Sequence, residues 1–209
     1  MRFLCRPAVG TGFVVVSLLA TAGPALAAET ASSEIVIIRE GDTVSEDLYA
    51  TGVRIIIEGT VEGDLIAFAA EEVVISGVVT GSVLAIAPSV TIGGDIGESV
   101  RVSSGNLSLS GSVGVDLVAA AFNVDLDSGS EIGGDALVWA LEMKSGGTIG
   151  AGLEGSQRTL ELAGNIEGDV DVSVNRLTVS GPLEVVGDLG YRSPSQAEGL
   201  GQATVGGVV

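Results

Sequence analysis

SGVVTGSVLAIAPSVTI (Ser76–Ile92), GGDIGESVRVSSGNLSL (Gly93–Leu109) and SGSVGVDLVAAAFNVDL (Ser110–Leu126) follow one another without a break, each 17 residues long. After one irregular stretch come GGTIGAGLEGSQRTLEL (Gly146–Leu162) and AGNIEGDVDVSVNRLTV (Ala163–Val179), again 17 residues each. Gly recurs at the second position (Gly77, Gly94, Gly111, Gly147, Gly164), and Val or Ile at the fourth (Val79, Ile96, Val113, Ile149, Ile166). A fixed period of this length marks a repeat architecture, in which one unit cannot bury its apolar face alone and stacks on its neighbours.

Inside each unit the apolar residues alternate, as in Val113, Leu117, Ala119, Ala121, Val124 and Leu126. Short period-two runs bounded by Gly, Asp, Ser and Asn are strand signals. The repeats therefore predict an all-β, single-domain parallel β-helix, a β-solenoid of about nine coils of about 17 residues. Working outward, Glu58–Ile75 is a coil of 18 residues with the extra one near Glu71-Glu72, and Asp127–Ser145 has 19. Glu40–Ile57 reads as a divergent first coil and Ser180 to about Tyr191 as a divergent last one. The expected organisation is a signal peptide over 1–27, a linker and N-terminal cap strand over 28–39, the solenoid over 40–192 and a Gly-rich tail over 193–209.

The signal-peptide reading rests on Arg2 and Arg6, the apolar run Val9–Ala20, the Gly23-Pro24 breaker and the small-x-small sequence Ala25-Leu26-Ala27. It predicts export to the periplasm or cell surface. Cleavage would leave no cysteine, hence no disulfide, and 7 Lys+Arg against 27 Asp+Glu, a formal charge of −20. So acidic a surface argues against nucleic acid and anionic lipid, which require basic patches. The content is 46% hydrophobic but only 3% aromatic, as suits a narrow interior filled by Val, Ile, Leu and Ala.

The middle face of each coil sets the register. Leu65/Ala67/Ala69, Val83/Ala85/Ala87, Leu117/Ala119/Ala121 and Val170/Val172/Val174 are expected to point inward, because the alternative would bury Arg101, Glu154 and Asp171. The outward set then carries Ile66, Phe68, Leu84, Ile86, Val118, Phe122, Leu137, Trp139 and Leu141, an apolar stripe expected to be a self-association or partner surface. Val185 and Leu189, in the last coil, are expected at an assembly end. The corner residues Asp64, Asp116, Asp135, Asp169 and Asp188 usually follow Gly. That spacing would serve a calcium ladder, but the calcium-binding nonapeptide is missing, and the expectation is a tight turn whose carboxylate accepts local N–H groups.

The chain has no His, which removes Ser-His-Asp and Cys-His sites and the His of hexapeptide-repeat acyltransferases. No cofactor and no metal are expected, and no catalysis. A glycosidase carboxylate pair is allowed by residue type, but the coils leave little room for side loops that would build a cleft.

The pattern G-x-[VI]-x-G-[DS]-[VL], seen in GTVEGDLIAFA (Gly59–Ala69), GNIEGDVDVSV (Gly164–Val174) and in part in VGDLGYRSP (Val186–Pro194), resembles the bactofilin, or polymer-forming cytoskeletal, family over about Gly41–Pro194. The resemblance implies a right-handed, triangular β-helix that polymerises end to end through its terminal coils without nucleotide. The signal peptide departs from that family, whose typical members are cytoplasmic, so the expectation becomes an exported scaffold of the cell envelope. The alternative readings are a monomeric binding module that shows its stripe to a membrane protein or surface polymer, and a polysaccharide-active β-helix enzyme.

Overall fold

The computed structural model describes residues 28–209; the expected signal peptide lies outside the described residues. The chain winds through β1 (Glu29–Ile38), β2 (Thr43–Val44), β3 (Leu48–Ile57), β4 (Thr60–Val61), β5 (Leu65–Ile75), β6 (Val78–Val79), β7 (Val83–Ile92), β8 (Asp95–Ile96) and β9 (Val100–Leu109). It continues through β10 (Ser112–Val113), β11 (Leu117–Leu126), β12 (Glu131–Ile132), β13 (Ala136–Ser145), β14 (Thr148–Ile149), β15 (Leu153–Ile166), β16 (Val170–Val185), β17 (Leu189–Arg192) and β18 (Ala203–Val205). Every pairing is parallel, and each strand lies on its counterpart one coil away, so the fold is a β-solenoid of about ten turns.

The interior is built of columns. Leu48, Leu65, Val83, Val100, Leu117, Ala136, Leu153, Val170 and Leu189 stack in register, and all are buried. The short strands supply a second column, Val44, Val61, Val79, Ile96, Val113, Ile132, Ile149, Ile166 and Val185, equally buried. Each such side chain contributes roughly 1.5–3 kcal/mol of burial, and no coil holds enough of them to fold alone. The alternation read from the sequence is the one found, with Arg101, Glu154 and Asp171 exposed.

Irregular lengths are absorbed at corners. Gly52 pairs Ala69 but Arg54 pairs Glu72, so the extra residue of the 18-residue coil sits between Ala69 and Glu72, as read. The two extra residues of the 19-residue coil form the turn Asp127–Ser130, closed by Ser130 N–H and Oγ–H donating to the Asp127 carbonyl at 2.9 and 2.8 Å. Recurrent Gly at the second position answers to close stacking. Gly94 and Gly111 have no positive φ, yet a Cβ on either would strike the carbonyl oxygen of the Gly one coil below, Gly77 and Gly94 respectively.

The stretch read as linker and N-terminal cap strand, 28–39, holds β1, and at the other end the stack runs past residue 192. Glu29–Ile38 is a full strand paired residue for residue with β3, because Ala31, Val36 and Ile38 continue the inward columns. The Gly-rich tail is a coil too. Ala203–Val205 pairs Leu183–Val185, and Leu200, Ala203 and Val205 pack on the core. This coil covers Val185 and Leu189, which are 0% and 1% exposed. Their placement on an assembly surface is thereby corrected: both are interior residues.

Candidate functional site

The middle face bears two outward columns whose register is fixed by strand pairing. The first runs Tyr49, Ile66, Leu84, Arg101, Val118, Leu137, Glu154, Asp171. The second runs Thr51, Phe68, Ile86, Ser103, Ala120, Trp139, Ser156, Ser173. At the adjoining corner Phe122 follows Ala121 and Leu141 follows Ala140, and Ala121 pairs Ala140.

These columns divide the expected stripe in two. Tyr49, Ile66, Phe68, Leu84 and Ile86 form one patch, and Val118, Ala120, Phe122, Leu137, Trp139 and Leu141 form another. Between them lies the polar row of Arg101 and Ser103, and Glu154 with Ser156 ends the second patch. Phe122 is 65% and Trp139 48% exposed, whereas Ile66, Val118 and Leu137 are only half-buried floor between the larger groups. The Phe122 ring lies over Gly105 of the coil before, where a Cβ would meet the Pro88 carbonyl oxygen rather than the ring. Tyr49 and Ala120 were missed by sequence reading, Tyr49 because the first coils diverge from the repeat, Ala120 because the run Ala119-Ala120-Ala121 puts the same residue on both faces and hides the alternation.

A second feature is the corner that ends each short face. Asp47 Oδ1 accepts the N–H of Asp64 at 2.9 Å, and Asp64 Oδ1 that of Ser82 at 2.7 Å. Asp116 accepts from Asp135 at 3.0 Å, Asp135 from Gly152 at 2.8 Å, Asp169 from Asp188 at 2.8 Å and Asp188 from Val208 at 2.7 Å. The acceptance is not local, as expected from turn chemistry, but across one coil. Gly63, Gly81, Gly134, Gly187 and Gly207 precede the receiving residues, and at each the carboxylate from the coil below occupies the space of a Cβ; above Asp135 the same position is Ala151. Where that coil offers the shorter Ser82 or Ser99, the same position holds Glu98 or Val115. The carboxylates are thus engaged with backbone, and no group of three or more acidic side chains is gathered for a metal among the described residues.

Surface relief is slight. One open depression of about 420 Å³ is lined by Asp169, Asp171, Asp188, Tyr191 and Arg192, where Arg192 Nη1 donates to Asp171 at 3.0 Å. Another, of about 230 Å³, lies beside the second apolar patch between Val118, Leu137, Glu154, Asp116 and Asp135.

No family model, curated protein or solved structure matches the chain.

Proposed function

We propose that the chain is an exported structural protein of the cell envelope that self-associates end to end, a scaffold rather than a catalyst. One observation carries this reading: β1 is a ten-residue strand with a single strand partner among the described residues. Glu29 N–H donates to Asp47, so the alternate residues Thr30 and Ser32 turn their N–H and C=O groups to the free edge. In the same way Ile38 C=O accepts from Glu58, which sets Ile35 and Ile37 toward that edge. Such an edge is a template for another chain unless Lys, Pro or a bulge blunts it, and ETASSEIVII has neither Lys nor Pro. The far end offers the outer edges of β17 and β18, likewise paired on one side. The near loop-free exterior and the resemblance to polymer-forming β-helices support the same reading.

Size-exclusion chromatography and negative-stain microscopy of the purified protein test it. Filaments or large oligomers that dissociate in Ser32→Pro/Ile37→Pro are expected, because a proline at either site removes only an outward N–H. A clean monomer at high concentration overturns the polymer and favours the binding-module reading, which the exposed Phe122 and Trp139 support.

A further inference from the structure

We infer that the patch around Trp139 is a self-complementary docking surface for a second copy of this chain, packed face to face with the rods antiparallel. The surface and its argument are separate from the strand edges.

The register of the outward columns carries the inference. Place a two-fold axis in the interface, parallel to the strands and midway between β11 and β13. Each β11 residue then faces the β13 residue of the same column in the second copy, and β9 faces β15. Ala120 pairs Trp139 within the chain, so each indole would sit over the small Ala120 of the other copy, twice by symmetry. Val118 would meet Leu137, and Phe122 would meet Leu141. One row farther out, Arg101 would face Glu154 of the second copy on both sides of the axis.

The charges argue for the same arrangement. Glu154 lies directly across from Asp171 in the next coil, an unfavourable like-charge pair. Asp171 is relieved by Arg192, but Glu154 has no cationic partner among the described residues, and neither has Arg101 an acidic one. Within one chain the two are three strand steps apart, roughly 14 Å, too far to meet. The second copy would bring Arg101 to Glu154 at the edge of the depression lined by Asp116 and Asp135. An axis along the rod would instead set Trp139 on Trp139 and leave a gap between two Ala120 methyls.

The complementary contacts span only the four strand rows from β9 to β15, so the dimer is expected to be weak, with Kd of order micromolar. Trp139 is the only Trp in the chain, which makes its emission a direct reporter. The experiment uses the Ser32→Pro/Ile37→Pro protein at about 0.15 M salt, so that end contacts do not obscure the mass. Raising its concentration from nanomolar to several hundred micromolar should shift Trp139 emission to the blue in step with a monomer-to-dimer transition by sedimentation. Arg101→Glu and Glu154→Arg should each weaken the dimer about tenfold or more, and the two together should restore it, since they exchange the ends of one cross-copy pair. Both sites are exposed, so thermal melts should stay close to the parent. A combined variant as weak as the single ones, or emission and mass unchanged with concentration, overturns the inference. Neither result bears on filaments of the protein without the proline substitutions, which test the end-to-end reading alone.

Discussion

Asp135 Oδ1 accepts the N–H of Gly152 at 2.8 Å, and the Gly152 carbonyl accepts the N–H of Ala136, the residue after Asp135, at 2.9 Å. The two contacts clasp one corner to the next with a side chain on one side and backbone on both. The same arrangement joins Asp47 with Asp64 and Asp169 with Asp188.

Removing one clasp therefore has a defined cost. Asp64→Ala leaves the part-buried Ser82 N–H without its acceptor and should lower stability by about 1–2 kcal/mol. Asp64→Asn keeps an acceptor oxygen and should recover most of that loss. Denaturant midpoints of the two variants provide the comparison.

The glycine before the corner is the reciprocal half of the motif. Gly134→Ala would press a methyl against the Asp116 carboxylate and the Val115 carbonyl, and should destabilise by about 1–3 kcal/mol. Val115→Ala, in the same column above Ser99, should change stability by less than about 0.5 kcal/mol. Thermal melts showing equal effects would reject the steric account.

Val113→Asp should cost several kcal/mol, because it buries an unpaired carboxylate in the column of short strands. Ser108 points outward but beside Asp125, so Ser108→Asp should cost a few tenths of a kcal/mol and Ser108→Lys nothing. Melting temperatures that fail to separate Val113→Asp from both Ser108 variants would contradict the register.

End-to-end association should strengthen with salt. Residues 28–209 carry 7 Lys+Arg against 27 Asp+Glu, and the copies repel one another. The Debye length falls from about 30 Å at 0.01 M to about 8 Å at 0.15 M, which screens that repulsion while leaving strand pairing intact. Light scattering across this range should rise; a fall would point to assembly driven by ion pairs instead.

Expression of the full chain followed by N-terminal sequencing of the protein recovered outside the cytoplasm should return a start near Ala28. Recovery of Met1 would reject cleavage at Ala25-Leu26-Ala27.

The core was legible because burial imposes a period. Every residue pair from Leu65/Ala67 to Val170/Val172 follows from alternation plus the cost of burying Arg101 or Glu154. The ends were less legible. Glu29–Ile38 contains no Gly or Asp, and the coil of Ala203–Val205 keeps only the corner pair Gly206-Gly207, with Ala203 where the inner coils carry their second-position Gly. That is why Val185 and Leu189 looked terminal when a further coil covers them. The division of the apolar stripe needed vertical register, which depends on where the 18- and 19-residue coils take up their extra residues. The cross-coil reach of the Asp carboxylates was hidden because sequence shows neighbours along the chain, not neighbours along the stack.

The strands run across the rod, and their hydrogen bonds run along it. A pull on the two ends therefore loads one coil at a time, and the terminal turn can peel while the rest holds. A sideways load is shared by many turns at once, because bending the rod must stretch one flank of the whole ladder. A stack of this design is stiff against bending and crushing, yet yields to axial tension in steps of one coil.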